Sequence, residues 1–138
     1  KNLDAIPHVK GVNNHMGSAI TALSPQMHQI FTILKIRELF FIDSMTSKHS
    51  LGRQSAHLFQ LPFAERDIFL DNVQEISYIK GQIKKLIFIA LKNGYAIGIG
   101  HPYHATYLAL KNEIPELKKQ VRIVPASTLV AVPLEPLP

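Results

Sequence analysis

The order of apolar segments predicts an α/β fold built from parallel β/α units. Short, nearly continuous apolar runs alternate with longer stretches of helical periodicity, in the order β-α-β-α-β-α-β-α-β. Continuous apolar strands separated by helices are what a parallel sheet covered on both faces requires. Four of these runs also break off into chemically capable residues. They are Gly11-Val-Asn-Asn-His-Met-Gly-Ser18, Leu39-Phe-Phe-Ile-Asp-Ser44, Leu61-Pro-Phe-Ala-Glu-Arg-Asp67 and Ala96-Ile-Gly-Ile-Gly-His-Pro102. In parallel sheets and barrels, active sites collect at the carboxyl ends of the strands. His15, Asp43, Arg66, Asp67 and His101 are therefore expected to share one pocket.

Strands are expected at about 9–13, 39–43, 60–65, 95–100 and 121–125. The first helix, about 25–37, opens at Ser24-Pro25, where serine is the expected cap and proline suits the first helical position. Met27, Ile30, Phe31 and Leu34 then follow helical spacing. A second helix, about 47–59, is expected to start at Ser47 and carries Leu51, Ala56, Leu58 and Phe59. The third and longest, about 73–93, has the stripe Ile76, Ile79, Ile83, Leu86, Ile87 and Ala90, with Asn93-Gly94 as its stop. Asp71-Asn72 directly precedes it and reads as its cap. A fourth helix is expected at about 103–111, with a short turn near 115–119. The proline-bearing tail from Pro125 to Pro138 reads as extended and peripheral. Five such strands fit an open sheet or the later part of a barrel equally well.

A chain of 138 residues, 46% hydrophobic and 18% charged, is long and apolar enough for one globular domain with its own core. Nothing in it reads as a linker, so residues 1–138 are expected to form a single domain. The formal charge is +5, but the basic residues are scattered, and Lys80, Lys84, Lys85 and Lys92 read as a solvated helix face. Aromatic residues do not alternate with basic ones, which argues against a nucleic-acid partner. The absence of cysteine excludes disulfides and thiolate metal sites. The longest apolar run, Leu86 to Leu91, is far short of the about 20 residues of a membrane span. The chain begins at Lys1 without a methionine, so residues upstream of it are expected.

Histidine just after a strand and just before Gly17 makes His15 a candidate ligand for a divalent metal, with zinc the usual partner of imidazole. A loop histidine held by hydrogen bonds is the plainer alternative. Asn13, Asn14 and Ser18 crowd the same turn and are candidate substrate contacts, although asparagine also simply tolerates turn backbone. Asp43 ends the most apolar strand and could serve as a base, bind metal or orient a histidine; capping is its alternative. Arg66-Asp67 reads as either a substrate clamp or an internal ion pair. His101 follows Gly98-Ile-Gly100 and precedes Pro102, a setting suited to general acid catalysis or metal binding. Dinucleotide fingerprint, phosphate loop, GxSxG and HExxH motifs are all missing.

GVNNHMGS (11–18), LFFIDSMT (39–46), RDIFLDN (66–72), AIGIGHP (96–102) and VRIVPAS (121–127) together resemble the divergent polysaccharide deacetylase family of bacterial, generally exported proteins. These segments span nearly the whole chain in the family's order. The resemblance implies a branch of the carbohydrate esterase and glycoside hydrolase/deacetylase superfamily, with an irregular seven-stranded β/α barrel of which this chain is the C-terminal portion. It implies a metal-dependent hydrolase acting on an acetylated cell-envelope polysaccharide or peptidoglycan-type substrate, in the periplasm or outside the cell. In that reading His15 binds a divalent metal, with zinc the expected ion, Asp43, Asp67 and His101 are catalytic, and Asn13, Asn14, Ser18 and Arg66 bind substrate. Two departures stand out. The family's earlier strand ending in an Asp-Asp pair lies outside this sequence, and better-known deacetylases carry two metal histidines four residues apart, where this chain has Ala19. The alternative is accordingly a non-catalytic carbohydrate-binding or envelope-assembly protein. A chain lacking opening β/α units exposes a strand edge at 9–13, so self-association is a further expectation.

Overall fold

The computed structural model describes residues 3–134. They form two compact units, the first from the chain up to Glu65 together with the segment from Ala126 onward, the second from Arg66 to Pro125. Both are mixed α/β with parallel strand pairing.

In the first unit, β1 (Gly11–Asn13), β2 (Phe40–Asp43) and β3 (Phe63–Glu65) form a parallel sheet in the order β1-β2-β3. Asn13 pairs with Ile42, and Asp43 with Glu65, so the polar ends of the strands lie at one end of the sheet. Two helices cross over between these strands, α1 (Ser24–Ile36) and α2 (Gly52–Phe59). α1 buries Met27, Phe31 and Leu34, the stripe its spacing demands, against Phe41, Leu61 and Phe63. Ser24 lies inside this helix rather than capping it; Leu23 is the cap residue, and the Ser24 hydroxyl meets His28 Nε2 at 3.2 Å.

α2 begins at Gly52, well after the expected start at Ser47. The intervening serines are occupied locally: Ser47 Oγ accepts the His49 N–H, and Ser50 Oγ accepts the Gly52 N–H. Such side chain–backbone bonds offer the chain an alternative to helix. β3 is likewise shorter than the expected 60–65, because Gln60 closes α2 in the left-handed conformation. The tail is not wholly detached. Ala131 forms an antiparallel bridge with Phe63, and His57 Nδ1 meets the Pro133 carbonyl at 2.8 Å. Residues 135–138 of the expected tail lie outside the described residues.

The second unit pairs β4 (Ile68–Phe69) in parallel with β5 (Gly98–Ile99). The apolar pattern did not announce β4, which is two residues long and follows directly on a polar pair. Its crossover is α3 (Ile76–Asn93), which ends as expected at Gly94, whose φ of 87° suits a residue without a Cβ. α4 (His104–Gln120) replaces the expected helix and separate turn with one helix that runs through Pro115. Proline removes one helical hydrogen bond there. Packing holds both halves in line: Thr106 and Ala109 before the proline and Leu117 after it are buried, and Lys80 on α3 meets Glu113 on α4 at 2.9 Å. Ile79, Ile83, Ile87, Leu70, Ala109 and Leu117 make this unit's core.

The expected strand at 121–125 does not form. The Val121 N–H returns to the Leu117 carbonyl and closes α4, and among the described residues the stretch has no ladder partner. Parallel β/α units are thus the architecture present. Among the described residues, no helix is long and apolar enough to cross a membrane.

Candidate functional site

In the first unit, the β1 and β2 ends are stitched together by amides and a serine. Asn13 Nδ2 donates to the Ile42 carbonyl at 2.7 Å and to Ser44 Oγ at 2.8 Å. Asn14 Oδ1 accepts the Ser44 N–H at 2.7 Å, and the Ser44 hydroxyl donates to the Asn14 carbonyl. Because Oδ1 takes a backbone N–H, the Asn14 amide orientation is fixed, and its Nδ2 is buried without a protein partner. His15 and Ser18 lie exposed in the turn that follows. Ser44 is the hub of this arrangement.

Asp43 is fully buried at the end of β2. Its Oδ1 accepts the Met45 N–H at 2.8 Å, and its Oδ2 accepts the Ser50 hydroxyl. Gly52 is required beside it, since a Cβ there would stand 2.5 Å from Oδ2. The carboxylate therefore organises the loop from β2 to α2. Nearby, Arg53 makes a two-pronged ion pair with Glu65, at 3.1 and 2.8 Å.

The second unit holds a histidine–aspartate pair. Asp71, at the end of β4, is fully buried. Its Oδ1 lies 2.9 Å from His101 Nδ1, while its Oδ2 accepts the His101 N–H and the Thr106 hydroxyl, the latter at 2.8 Å. Burial pushes the Asp71 carboxyl up, but the bonds from the His101 ring, the His101 N–H and Thr106 outweigh it. Its pKa accordingly falls below the ordinary carboxylate value. The expected capping role of Asp71-Asn72 is corrected: α3 starts at Ile76 with Glu75 as its cap residue, and Asp71 turns inward to His101 instead. No local signal marks this use, since His101 and Thr106 lie 30 and 35 residues further along the chain.

An aromatic and cationic stack surrounds this histidine. The Arg66 guanidinium lies 3.9 Å from the Phe69 ring centroid. Phe69 stacks with His101 at 6.4 Å, and His101 with Tyr103 at 5.2 Å. Tyr103, 37% exposed, is the outermost ring. Asp67 does different work. Its Oδ2 accepts the Ile97 N–H at 2.7 Å while its own N–H donates to the Ile97 carbonyl, which sets the β4–β5 register.

His15, Asp43, Asn13, Asn14 and Ser18 thus belong to the first unit, and Arg66, Asp67 and His101 to the second. Among the described residues, no three His, Asp, Glu or Cys side chains converge as a metal site would require. The side chains near His15 do not by themselves complete such a site.

Parallel strands joined by helices, with buried aspartates at or beyond the strand ends, make this a β/α protein. The chain belongs to the divergent polysaccharide deacetylase family, whose model matches residues 1–130. It is 33% identical over 128 residues to the uncharacterized protein YibQ of Escherichia coli, covering 93% of this chain and 40% of that protein. An uncharacterized protein of Haemophilus influenzae is 38% identical over 114 residues, covering 83% of this chain and 41% of its own length. The crystal structure of the uncharacterized protein ATU2773 from Agrobacterium tumefaciens superposes with a TM-score of 0.84 at 27% identity, over 88% of this chain and 50% of that one. The chain therefore spans about two fifths of the curated relatives' length and half of the solved one.

Proposed function

We propose that the chain forms part of a hydrolase that removes N- or O-acetyl groups from a cell-envelope polysaccharide, in the periplasm or outside the cell. One observation carries this reading: a buried carboxylate, Asp71, holds His101 through Nδ1 at 2.9 Å. A carboxylate behind an imidazole fixes its tautomer and orientation and leaves Nε2 as the nitrogen that meets a reacting group. His101 would then protonate the departing amine or alcohol as water adds to the acetyl carbon and the C–N or C–O bond breaks, giving acetate and the deacetylated sugar. Asp71 is a positioning residue in this scheme.

His15 is the side chain of this region suited to zinc, which would polarise the acetyl carbonyl. Ligands beyond those of the described residues would be needed to complete such a site. Asp43 and Asp67 fit the roles of loop organiser and strand-register residue better than those of base or nucleophile, because their hydrogen bonds are spent on backbone and a serine. Arg66 and Asn13 fit as supports of the stacked ring and of the β1–β2 ends.

The exposed ring of Tyr103, backed by His101 and Phe69, favours a second reading: a carbohydrate-binding or envelope-assembly protein without turnover. Stacked rings of this kind offer an apolar platform for a sugar face. The test uses the full-length protein with acetylated chitooligosaccharides and peptidoglycan fragments. Acetate release that falls by about 10²–10⁴ in Asp71→Asn supports the hydrolase. Saturable binding without acetate release, lost in Tyr103→Ala and retained in Asp71→Asn, supports the binding protein.

A further inference from the structure

We propose that the outer face of α3 docks on an anionic lipid surface. α3 buries Ile79, Gln82, Ile83 and Ile87 on one side. At 100° per residue, the opposite side is centred on Phe88, with Lys84 and Lys85 one turn before it and Leu91 and Lys92 one turn after. Phe88 is 67% and Leu91 62% exposed, two large apolar side chains held in water side by side on the face opposite the core. Tyr95, just past the helix end, is exposed as well.

Charge selects the occupant. Ile76–Asn93 contains no aspartate or glutamate. Lys80 is paired with Glu113, whereas Lys84, Lys85 and Lys92 have no ion-pair partner among the described residues. The same unit carries nine basic against five acidic side chains between Arg66 and Pro125, so it accounts for most of the chain's positive charge. Shape then separates two anionic partners. A peptide helix is normally received in an apolar groove, and α3 presents the reverse, a convex ridge with a protruding ring. A bilayer interface accepts such a ridge: Phe and Leu enter the headgroup boundary while lysine stems lie along it with their ammonium groups among anionic lipids.

The chain has no tryptophan, so Phe88→Trp supplies a single reporter in the whole chain. Its emission is read with vesicles of phosphatidylcholine, with and without phosphatidylglycerol, and far-UV circular dichroism confirms that each variant keeps the fold. The expected result is a blue shift with the anionic vesicles alone, weakened by salt. Each lysine near an anionic surface is worth about fivefold in partitioning. Reversing two of them, Lys84→Glu with Lys85→Glu, should lower partitioning by at least about twentyfold, and reversing Lys118 and Lys119 at the end of α4 should lower it far less. An unshifted tryptophan overturns the proposal. So does equal loss from both reversals, which would mean diffuse net-charge attraction. Binding of Phe88→Trp to polyglutamate without binding to vesicles overturns it in favour of an acidic protein partner.

Discussion

Asp71→Asn is the substitution that most sharply tests the structure. The carboxylate is fully buried and accepts from the His101 N–H, the His101 ring and the Thr106 hydroxyl. Asparagine keeps the volume but replaces one acceptor oxygen with an NH₂ donor, which then faces one of these three donors. Hydrogen bonds to charged groups contribute about 1.5–3 kcal/mol each, and a buried donor left unmatched costs a further ~1–3 kcal/mol. Since the amide oxygen retains part of the network, a loss of about 3 kcal/mol at neutral pH is expected. Urea denaturation at constant ionic strength measures it.

The sign of the pH dependence follows from the lowered Asp71 pKa. In the unfolded chain an aspartate titrates near ~3.9. Because the folded value lies lower, the stabilisation is present in full above the unfolded value and is lost as pH falls through the folded one. Asparagine cannot titrate. The gap between the wild-type chain and Asp71→Asn should therefore narrow as pH falls below about 4. A gap under about 0.5 kcal/mol at pH 7, within the range of ordinary surface substitutions, would refute the buried network. A gap unchanged on acidification would refute its ionised state.

Two further outcomes test the packing of the β2–α2 loop and, separately, of α4. Gly52→Ala should destabilise by about 1–3 kcal/mol, because the new Cβ would stand 2.5 Å from Asp43 Oδ2 and 3.2 Å from Phe63; a midpoint in urea equal to that of the parent would show that the β2–α2 loop yields. Pro115→Ala should stabilise by about 1 kcal/mol or more, since α4 already continues through this position; a loss of stability would mean that the proline's local geometry is needed for α3–α4 packing.

Much of the architecture was legible because parallel strands buried on both faces must be apolar runs. Leu39-Phe-Phe-Ile and the α1 stripe Met27, Phe31 and Leu34 read correctly for that reason. Errors arose where side chains compete for the backbone or where packing overrides propensity. Ser47 looked like a helix start, yet the serines between it and Gly52 hold the loop open. Pro115 looked like a break, and burial on both sides of it kept one helix. β4 was too short to show a period of its own. Val121-Arg-Ile-Val reads as a strand from composition, but a strand is made by its ladder neighbour, and here none is described.

The bonding of the candidate residues is hard to read for a different reason, which the two buried aspartates make plain. Both lie at or just beyond the end of a strand of the fold, yet the sequence reads Asp43 as a candidate base and Asp71 as a cap. Asp43 spends its oxygens on Met45 and Ser50, groups supplied by its own loop. Asp71 spends its oxygens on His101 and Thr106, about 30 residues further on. A local reading can recognise the first kind of use and has no view of the second, because that contact exists only once β4 and β5 are paired. Pairing brings Asp71 beneath the Gly98-Ile-Gly-His101 strand end, so the register fixed by Asp67 and Ile97 also fixes how the imidazole is held. The carboxylate that looked like a cap is thereby the one coupled to an acid–base side chain. The carboxylate that looked catalytic keeps a loop in shape. What a buried charge is bonded to, rather than strand-end position alone, sets what it can do.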